Sequence, residues 1–391
     1  MFRNIRRVVC GISGGVDSAV SALLLKKKGY EVIGLFMTNW DKLNEKGECQ
    51  ADKDFEDAQF ICEHLNLPLH NVSFVKEYWN EVFSQFLEDH KNGLSSVPDI
   101  YCNRYIKFGE FFDTARNEFN ADAIATGHYA RTSIEHDMEN ADLSKGVKLL
   151  RGLDPVKDQT FFLAQIPQKT LERTIFPVGS MLKKDVKKIA IESGLERIAK
   201  KKESMGLCYI GKTNFSKFIE NYIEPKVGYF VDLETEEIIG EHDGLHKWTI
   251  GQRINIGSRN MKTYVASKDS ASNNIMVVEG TNHPALFCQS AVTQKPYWIC
   301  GPPEGLSQYQ PVDVLFKYQH VHPVSKCTLS LNPDDTLTIC TPEPMRAFTP
   351  GQFFVFYNGE ECIGCARTHR SGPSLYHQEK RDRVDLRIPF T

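Results

Sequence analysis

Cys10-Gly11-Ile12-Ser13-Gly14-Gly15-Val16-Asp17-Ser18 is the stretch that decides the fold. The apolar run Ile5 to Ile12 reads as a buried strand. Ser18 to Lys28 reads as a helix with Val20, Leu23 and Leu24 turned inward and Gly29 as its C-terminal cap. Between them, paired glycines let a ligand approach the backbone, Ser13 and Ser18 add hydroxyl donors, and the helix N-terminus favours negative charge. This is a phosphate cradle, although it follows neither G-x-x-x-x-G-K-[ST] nor G-x-G-x-x-G.

Outward from the loop, Glu31 to Met37, His70 to Val75 and Ala121 to Thr126 read as strands. Asp54 to Leu65 and Tyr78 to Leu87 have helical spacing. The β-α-β-α order predicts a doubly wound parallel sheet covered on both faces. Ligands bind such sheets at the carboxyl ends of the strands, where the loop, Met37 and Gly127 share one edge. Residues 133–148 are polar and irregular and read as a surface excursion. Short strands with Gly244, Gly251 and Gly257 predict a small central β-rich domain. Beyond it Val312, Val314, Phe316 and Tyr318 alternate onto one face, with turns at Asn332-Pro333-Asp334 and Asn358-Gly359, as in a C-terminal β-barrel. The expected domains are 1–211, 212–272 and 273–391.

The 391 residues are 41% hydrophobic and 25% charged, as in ordinary globular proteins. No apolar stretch reaches membrane-spanning length, so no membrane partner is expected. A net charge of -3 excludes a uniformly basic nucleic-acid binder. It leaves local runs at Lys26-Lys27-Lys28, Lys183-Lys184 with Lys187-Lys188, and Lys200-Lys201-Lys202, each of which also reads as a solvated face. Eleven irregularly spaced cysteines, with no secretory signal, point to a reducing compartment. Arg3, Arg6 and Arg7 precede the first acid, Asp17, a composition compatible with an organellar import signal.

Two cysteines stand apart. Cys102 follows Pro98-Asp99 and precedes Arg104 and Lys107, whose charge, with the start of a helix, would favour the thiolate. Cys208 follows Lys200-Lys201-Lys202 and sits beside Gly206. Cys10, Cys62, Cys300, Cys327 and Cys340 lie in apolar patterns and read as small buried hydrophobes. Cys362-Ile363-Gly364-Cys365 is a lone C-x-x-C within a strand pattern, without the second pair that zinc needs.

The loop resembles that of the ATP-pyrophosphatase superfamily, whose members adenylate an oxygen and release pyrophosphate. The resemblance narrows with further motifs in order. They are Gly34-Leu35-Phe36-Met37-Thr38-Asn39-Trp40, Pro98-Asp99 with Cys102-Asn103, Thr126-Gly127-His128-Tyr129-Ala130-Arg131, Lys157-Asp158-Gln159-Thr160-Phe161-Phe162-Leu163, Gly206-Leu207-Cys208-Tyr209-Ile210-Gly211 and Thr249-Ile250-Gly251-Gln252-Arg253. Together they are similar to the tRNA-specific 2-thiouridylases. The Lys201-to-Gly206 and Tyr78-Trp79-Asn80 contexts are most similar to the animal mitochondrial branch.

This resemblance implies an N-terminal ATP-pyrophosphatase domain and a mitochondrial enzyme that thiolates the wobble uridine of tRNAs for Lys, Glu and Gln. It implies ATP as the activating nucleotide, bound by residues Cys10 to Ser18 with Met37 and Gly127, and Mg²⁺ near Asp17. It implies a Cys208 persulfide, filled by a cysteine desulfurase or a relay. Its terminal sulfur reaches the uracil C2 directly or as released sulfide, and Cys102 then closes a transient disulfide with Cys208. Asp99 would relay protons. Val97, Pro98 and Asp99 would meet the flipped base. Lys157, Asp158 and Gln159, with Lys317 and Tyr318 in the barrel, would meet RNA; Tyr318 reads equally as barrel core.

Other readings use less of the chain. An amidotransferase-type ligase would employ the loop and leave Cys102, Cys208 and the barrel without a task. A non-catalytic RNA-binding protein would not need the intact loop. An iron–sulfur cluster would need a third cysteine, and neither cysteine motif carries one.

Overall fold

The computed structural model describes residues 5–40, 50–135, 138–202, 215–255 and 262–378. Strands of the first part are β1 (Arg7–Gly11), β2 (Glu31–Thr38), β3 (Leu69–Ser73), β4 (Ala123–Ala125), β5 (Ala130–Thr132), β6 (Leu149–Arg151) and β7 (Thr174–Ile175); its leading helices are α1 (Val16–Lys27) and α2 (Gln50–His64). A parallel sheet runs in the order β3-β2-β1-β4-β7. The chain winds outward from β1 in one direction and then restarts at β4 on the other side. The crevice at the carboxyl ends of β1 and β4 is therefore the switch point where such sheets bind ligands.

Strand β1 is apolar from Val8 onward because both its faces are covered. Val9 enters one core with Leu35, Phe111 and Ile124, while Val8 and Cys10 enter the other with Ala19, Val20 and Ile61. Successive side chains point to opposite layers, so one strand serves both. Gly34 completes the fit: a Cβ there would lie 2.8 Å from Cys62 Sγ.

Strands β5 and β6 pair with each other, and β6 pairs with Glu361–Ser371 of the C-terminal part. The segment expected as a surface excursion is thus flanked by a hairpin that extends the barrel sheet. The barrel closes through Phe287–Thr293, Leu337–Arg346, Ser325–Leu331, Val312–Lys317, Phe353–Asn358 and Glu361–Ser371, which returns to pair with the first. Its interior holds Phe316, Tyr318, Phe348, Phe354 and Phe356. Between the two lies a sheet built from Gly228–Asp232, Ile238–His242, Arg253–Ile254, Thr263–Asp269 and Asn274–Glu279. The last of these lies past the expected boundary at 273, yet it pairs within the central sheet. Among the described residues, no helix is long and apolar enough to cross a membrane.

Candidate active site

The loop between β1 and α1 is shaped by its own hydroxyls. Ser13 N donates to Ser18 Oγ at 3.2 Å, and Ser18 Oγ donates to the Gly15 carbonyl at 2.9 Å. Gly14 adopts φ +72°, and a Cβ on it would lie 2.4 Å from the Asp54 carbonyl oxygen. Gly127, just past β4, has no room for a Cβ either: it would lie 2.7 Å from Ser18 N and 2.8 Å from Asp17 C. The backbone of β4 thus abuts the start of α1, and the helix N-terminus faces the crevice. Amide groups, a helix dipole and absent side chains together make a seat for an anion. Met37 stands half-buried at the end of neighbouring β2.

Asp17 lies in the first turn of α1. It accepts from Lys183 Nζ at 2.8 Å on Oδ1 and 2.7 Å on Oδ2, and from Tyr129 Oη at 2.8 Å. Tyr129 is held in turn by Gln159, whose Oε1 accepts from Tyr129 N at 2.9 Å and whose N donates to the Tyr129 carbonyl at 3.0 Å. Gln159 therefore supports Tyr129 and, through it, Asp17 in this conformation. Neither Lys183 nor Tyr129 was singled out for the site from sequence. A signal existed for Lys183: it begins the helix Lys183–Glu192, where a cation is disfavoured by the helix dipole unless it serves another group.

Asp54 and Asp57 of α2 hold Lys201 of a second basic run. Lys201 Nζ lies 2.7 Å from Asp54 Oδ1 and 2.8 Å from Asp57 Oδ2. Burial opposes the Lys201 charge, but these hydrogen bonds prevail and raise its pKa. Cys208 itself lies outside the described residues.

Cys102 is buried at the junction of the short helix Pro98–Tyr101 with a wide π-helical stretch, Cys102–Glu110. Such bulges are frequent at functional sites. The helix begins at Pro98, so its N-terminus serves Pro98 and Asp99, and Cys102 lies one turn inside. Arg104 turns away, donating to Gln165 Oε1 at 3.1 Å and lying 5.0 Å from the Tyr297 ring centroid. The charge of Lys107 lowers the pKa of both Asp99 and His128, the residue after Gly127. Asp99 keeps an open face to solvent. The surrounding wall nevertheless desolvates its carboxyl and raises the pKa, against the pull of Lys107 and His320. Burial, helped by Lys107, holds the His128 pKa well below the usual imidazole range. Val97 caps this helix half-buried, and Pro98 is buried.

The RNA-facing expectations divide. Lys157 is half-buried beside the exposed Val156. Asp158 is enclosed: its carboxylate accepts from Arg151 Nε at 3.0 Å, Gly152 N at 3.2 Å and Thr160 Oγ1 at 2.8 Å, with Lys317 Nζ at 3.8 Å. Lys317 and Tyr318 are 4% and 5% exposed, so neither offers its side chain to a partner in this conformation. Lys317 lies on the outward face of its strand, but the N-terminal part covers that face. Tyr318 packs in the barrel core, 5.1 Å from Phe348 between ring centroids. Cys300 and Cys340 are exposed, contrary to expectation: Cys300 lies beyond the short strand Tyr297–Trp298, and Cys340 takes the outward face of Leu337–Arg346, where Leu337 and Ile339 point to the core. Cys362 and Cys365 are buried, and desolvation raises both thiols, Cys365 to about 12, which suits packing and not redox work.

Comparison with known proteins matches the chain to three domain families in order. Residues 6–212 match a tRNA methyl transferase HUP domain, 216–279 a tRNA methyl transferase PRC-barrel domain, and 289–367 an aminomethyltransferase beta-barrel domain. The human mitochondrial tRNA-specific 2-thiouridylase 1 is 46% identical over 395 residues, covering 97% of this chain and 94% of that protein. The Drosophila melanogaster protein of that name is 45% identical over 370 residues, covering 94% and 95%. The domain descriptions speak of methyl transfer, whereas the full-length relatives are named for thiolation; the relatives match over nearly the whole chain and are the more specific. A solved 4-thiouridine synthetase–RNA complex with bound ATP is a remote likeness, 16% identical over 55% of this chain and 50% of that one, with a TM-score of 0.34.

Proposed function

Because this chain belongs to the family of the mitochondrial tRNA-specific 2-thiouridylases, we propose that it replaces O2 of the tRNA wobble uridine with sulfur, in tRNAs for Lys, Glu and Gln. The observation that carries the reading is the meeting of an anion seat and a cysteine site at the switch point of the sheet, where Phe108 of Cys102–Glu110 lies 5.7 Å from His128, the residue after Gly127, between ring centroids.

The uracil C2 carbonyl is a poor electrophile with a poor leaving group. In the first step O2 attacks the α-phosphorus of ATP and expels pyrophosphate, which leaves AMP attached at O2. The loop from Ser13 to Ser18 and the backbone at Gly127 hold the phosphates. Mg²⁺ is commonly held by one or two carboxylates with phosphate and water; Asp17 is the carboxylate at hand, and the ion would supply charge neutralisation.

In the second step sulfur arrives from a Cys208 persulfide, charged by a cysteine desulfurase or a relay. Its terminal sulfur attacks C2 and AMP leaves. Cys102, as thiolate, then attacks Cys208 Sγ. The sulfur–sulfur bond to the substrate breaks, 2-thiouridine departs, and a Cys102–Cys208 disulfide remains for a reductant to reopen. If Cys102 acts earlier and releases sulfide, the same disulfide results. Asp99 handles the proton of the base. Extrusion of a loop nucleotide is inexpensive compared with opening a duplex.

The test is sulfur incorporation into unmodified mitochondrial tRNA-Lys with ATP and a persulfide donor. Thiolated uridine with AMP and pyrophosphate is expected from the unaltered protein, and none from Cys102→Ala or Cys208→Ala. Wild-type rates in Cys208→Ala would discard the persulfide assignment.

A further inference from the structure

The barrel residues expected to face RNA are buried, but the turn that follows them is not. Val321 is 85% exposed. Its neighbour His320 crosses to the catalytic part. His320 Nε2 lies 2.9 Å from the Asp158 carbonyl oxygen, and its ring lies 4.7 Å from that of Phe162 at an interplanar angle of 31°. A carbonyl oxygen can only accept, so Nε2 carries the proton and Nδ1 points elsewhere. The Phe162 carbonyl in turn accepts from Asn103 Nδ2 at 3.0 Å, and Asn103 is the residue after Cys102. Asn103 is 3% exposed, and its Oδ1 has no hydrogen-bond partner. A buried orphan acceptor is costly unless a bound donor fills it.

We propose that His320 is a positioning residue through which the barrel completes the base site: clamped on Asp158 and packed against Phe162, it fixes the wall that carries Asn103 and Cys102 and borders Asp99. The barrel then takes part in chemistry as well as in holding RNA. The kinetic part of this inference rests on the sulfurtransferase reading; the positional part does not.

Electrostatics supports the placement. His320 pulls the Asp99 carboxyl down, as Lys107 does from Cys102–Glu110. The helix Thr160–Leu163, packed on the same side, brings no titratable group, and the neighbouring Trp79–Phe83 brings Glu81.

The test compares His320→Ala with His320→Gln, whose amide restores a donor to Asp158 but no charge. Amide exchange at residues 99–103 and 158–163 should quicken in His320→Ala and return toward wild type in His320→Gln. In the thiolation assay His320→Ala should lower kcat at least about tenfold with ATP affinity unchanged. Its acid limb should move to higher pH, and His320→Gln should recover kcat but keep the displaced limb. Unchanged exchange in His320→Ala would overturn the proposal even with an inactive wild type. Absent thiolation by wild type would instead count against the sulfurtransferase reading.

Discussion

Lys183 Nζ stands 2.8 Å and 2.7 Å from the two carboxylate oxygens of Asp17, joining positions 166 residues apart at the mouth of the phosphate loop. The pair is mutually neutral, and in the proposed reaction the lysine gains a second anion when a triphosphate binds. Lys183→Met is expected to reduce pyrophosphate release by about 10²-fold, the scale of losing one transition-state donor, while tRNA affinity holds. Release within twofold of wild type would reduce the pair to scaffolding.

Gly127→Ala tests the backbone approach. A methyl group placed 2.7 Å from Ser18 N must push the start of α1 away. Overpacking of this kind costs about 1–3 kcal/mol. Calorimetric titration with ATP should show binding lost, with only a modest fall in Tm. Wild-type affinity would mean that the nucleotide does not use this helix end.

Lys107→Met tests the charge that acts on both Asp99 and His128. Lys107 lowers the Asp99 pKa and lowers that of His128. Its removal therefore raises both. If ionised Asp99 is the active form, the acid limb of the thiolation rate must move to higher pH, and Asp99→Asn must abolish the activity along with the limb. A pH profile unmoved in Lys107→Met would separate Asp99 from the rate.

Asp158 and Lys317 form a pair with side chains 0% and 5% exposed. Removing one partner of a buried pair costs about 3–5 kcal/mol. Asp158→Asn should lower the denaturation midpoint by the corresponding amount, and Lys317→Met should act through stability more than through a lost RNA contact. A Lys317→Met protein of full stability and weakened tRNA binding would restore the contact role expected from the sequence.

Much of the catalytic core was legible because its signals are local. The apolar strand, the Gly14-Gly15 pair and the cap at Gly29 lie within thirty residues of one another, and β1, α1 and Gly29 (φ +88°) stand where their spacing puts them. The alternation that placed Tyr318 beside Phe316 was also sound. What the sequence hid depends on distant partners. Strands β5 and β6 have three residues each, too few to alternate, and the strand that completes them begins at Glu361. Lys317 reads as a surface cation until Asp158 arrives from another part of the fold. Lys183 reads as one lysine in a basic run until Asp17 claims it.

The hairpin of β5 and β6 also bears on how the molecule is made. Lys148 and Glu361, whose side chains pair at 2.7 Å, are 213 residues apart. At synthesis rates of about 5–20 residues per second, the first waits roughly 10–40 s for the second to leave the ribosome. For that interval the nascent catalytic half carries an unpaired strand edge, open to the wrong neighbour. The last barrel strand is thus also a timing element, and a message that stops short of it would yield a chain whose catalytic half never acquires its closing seam.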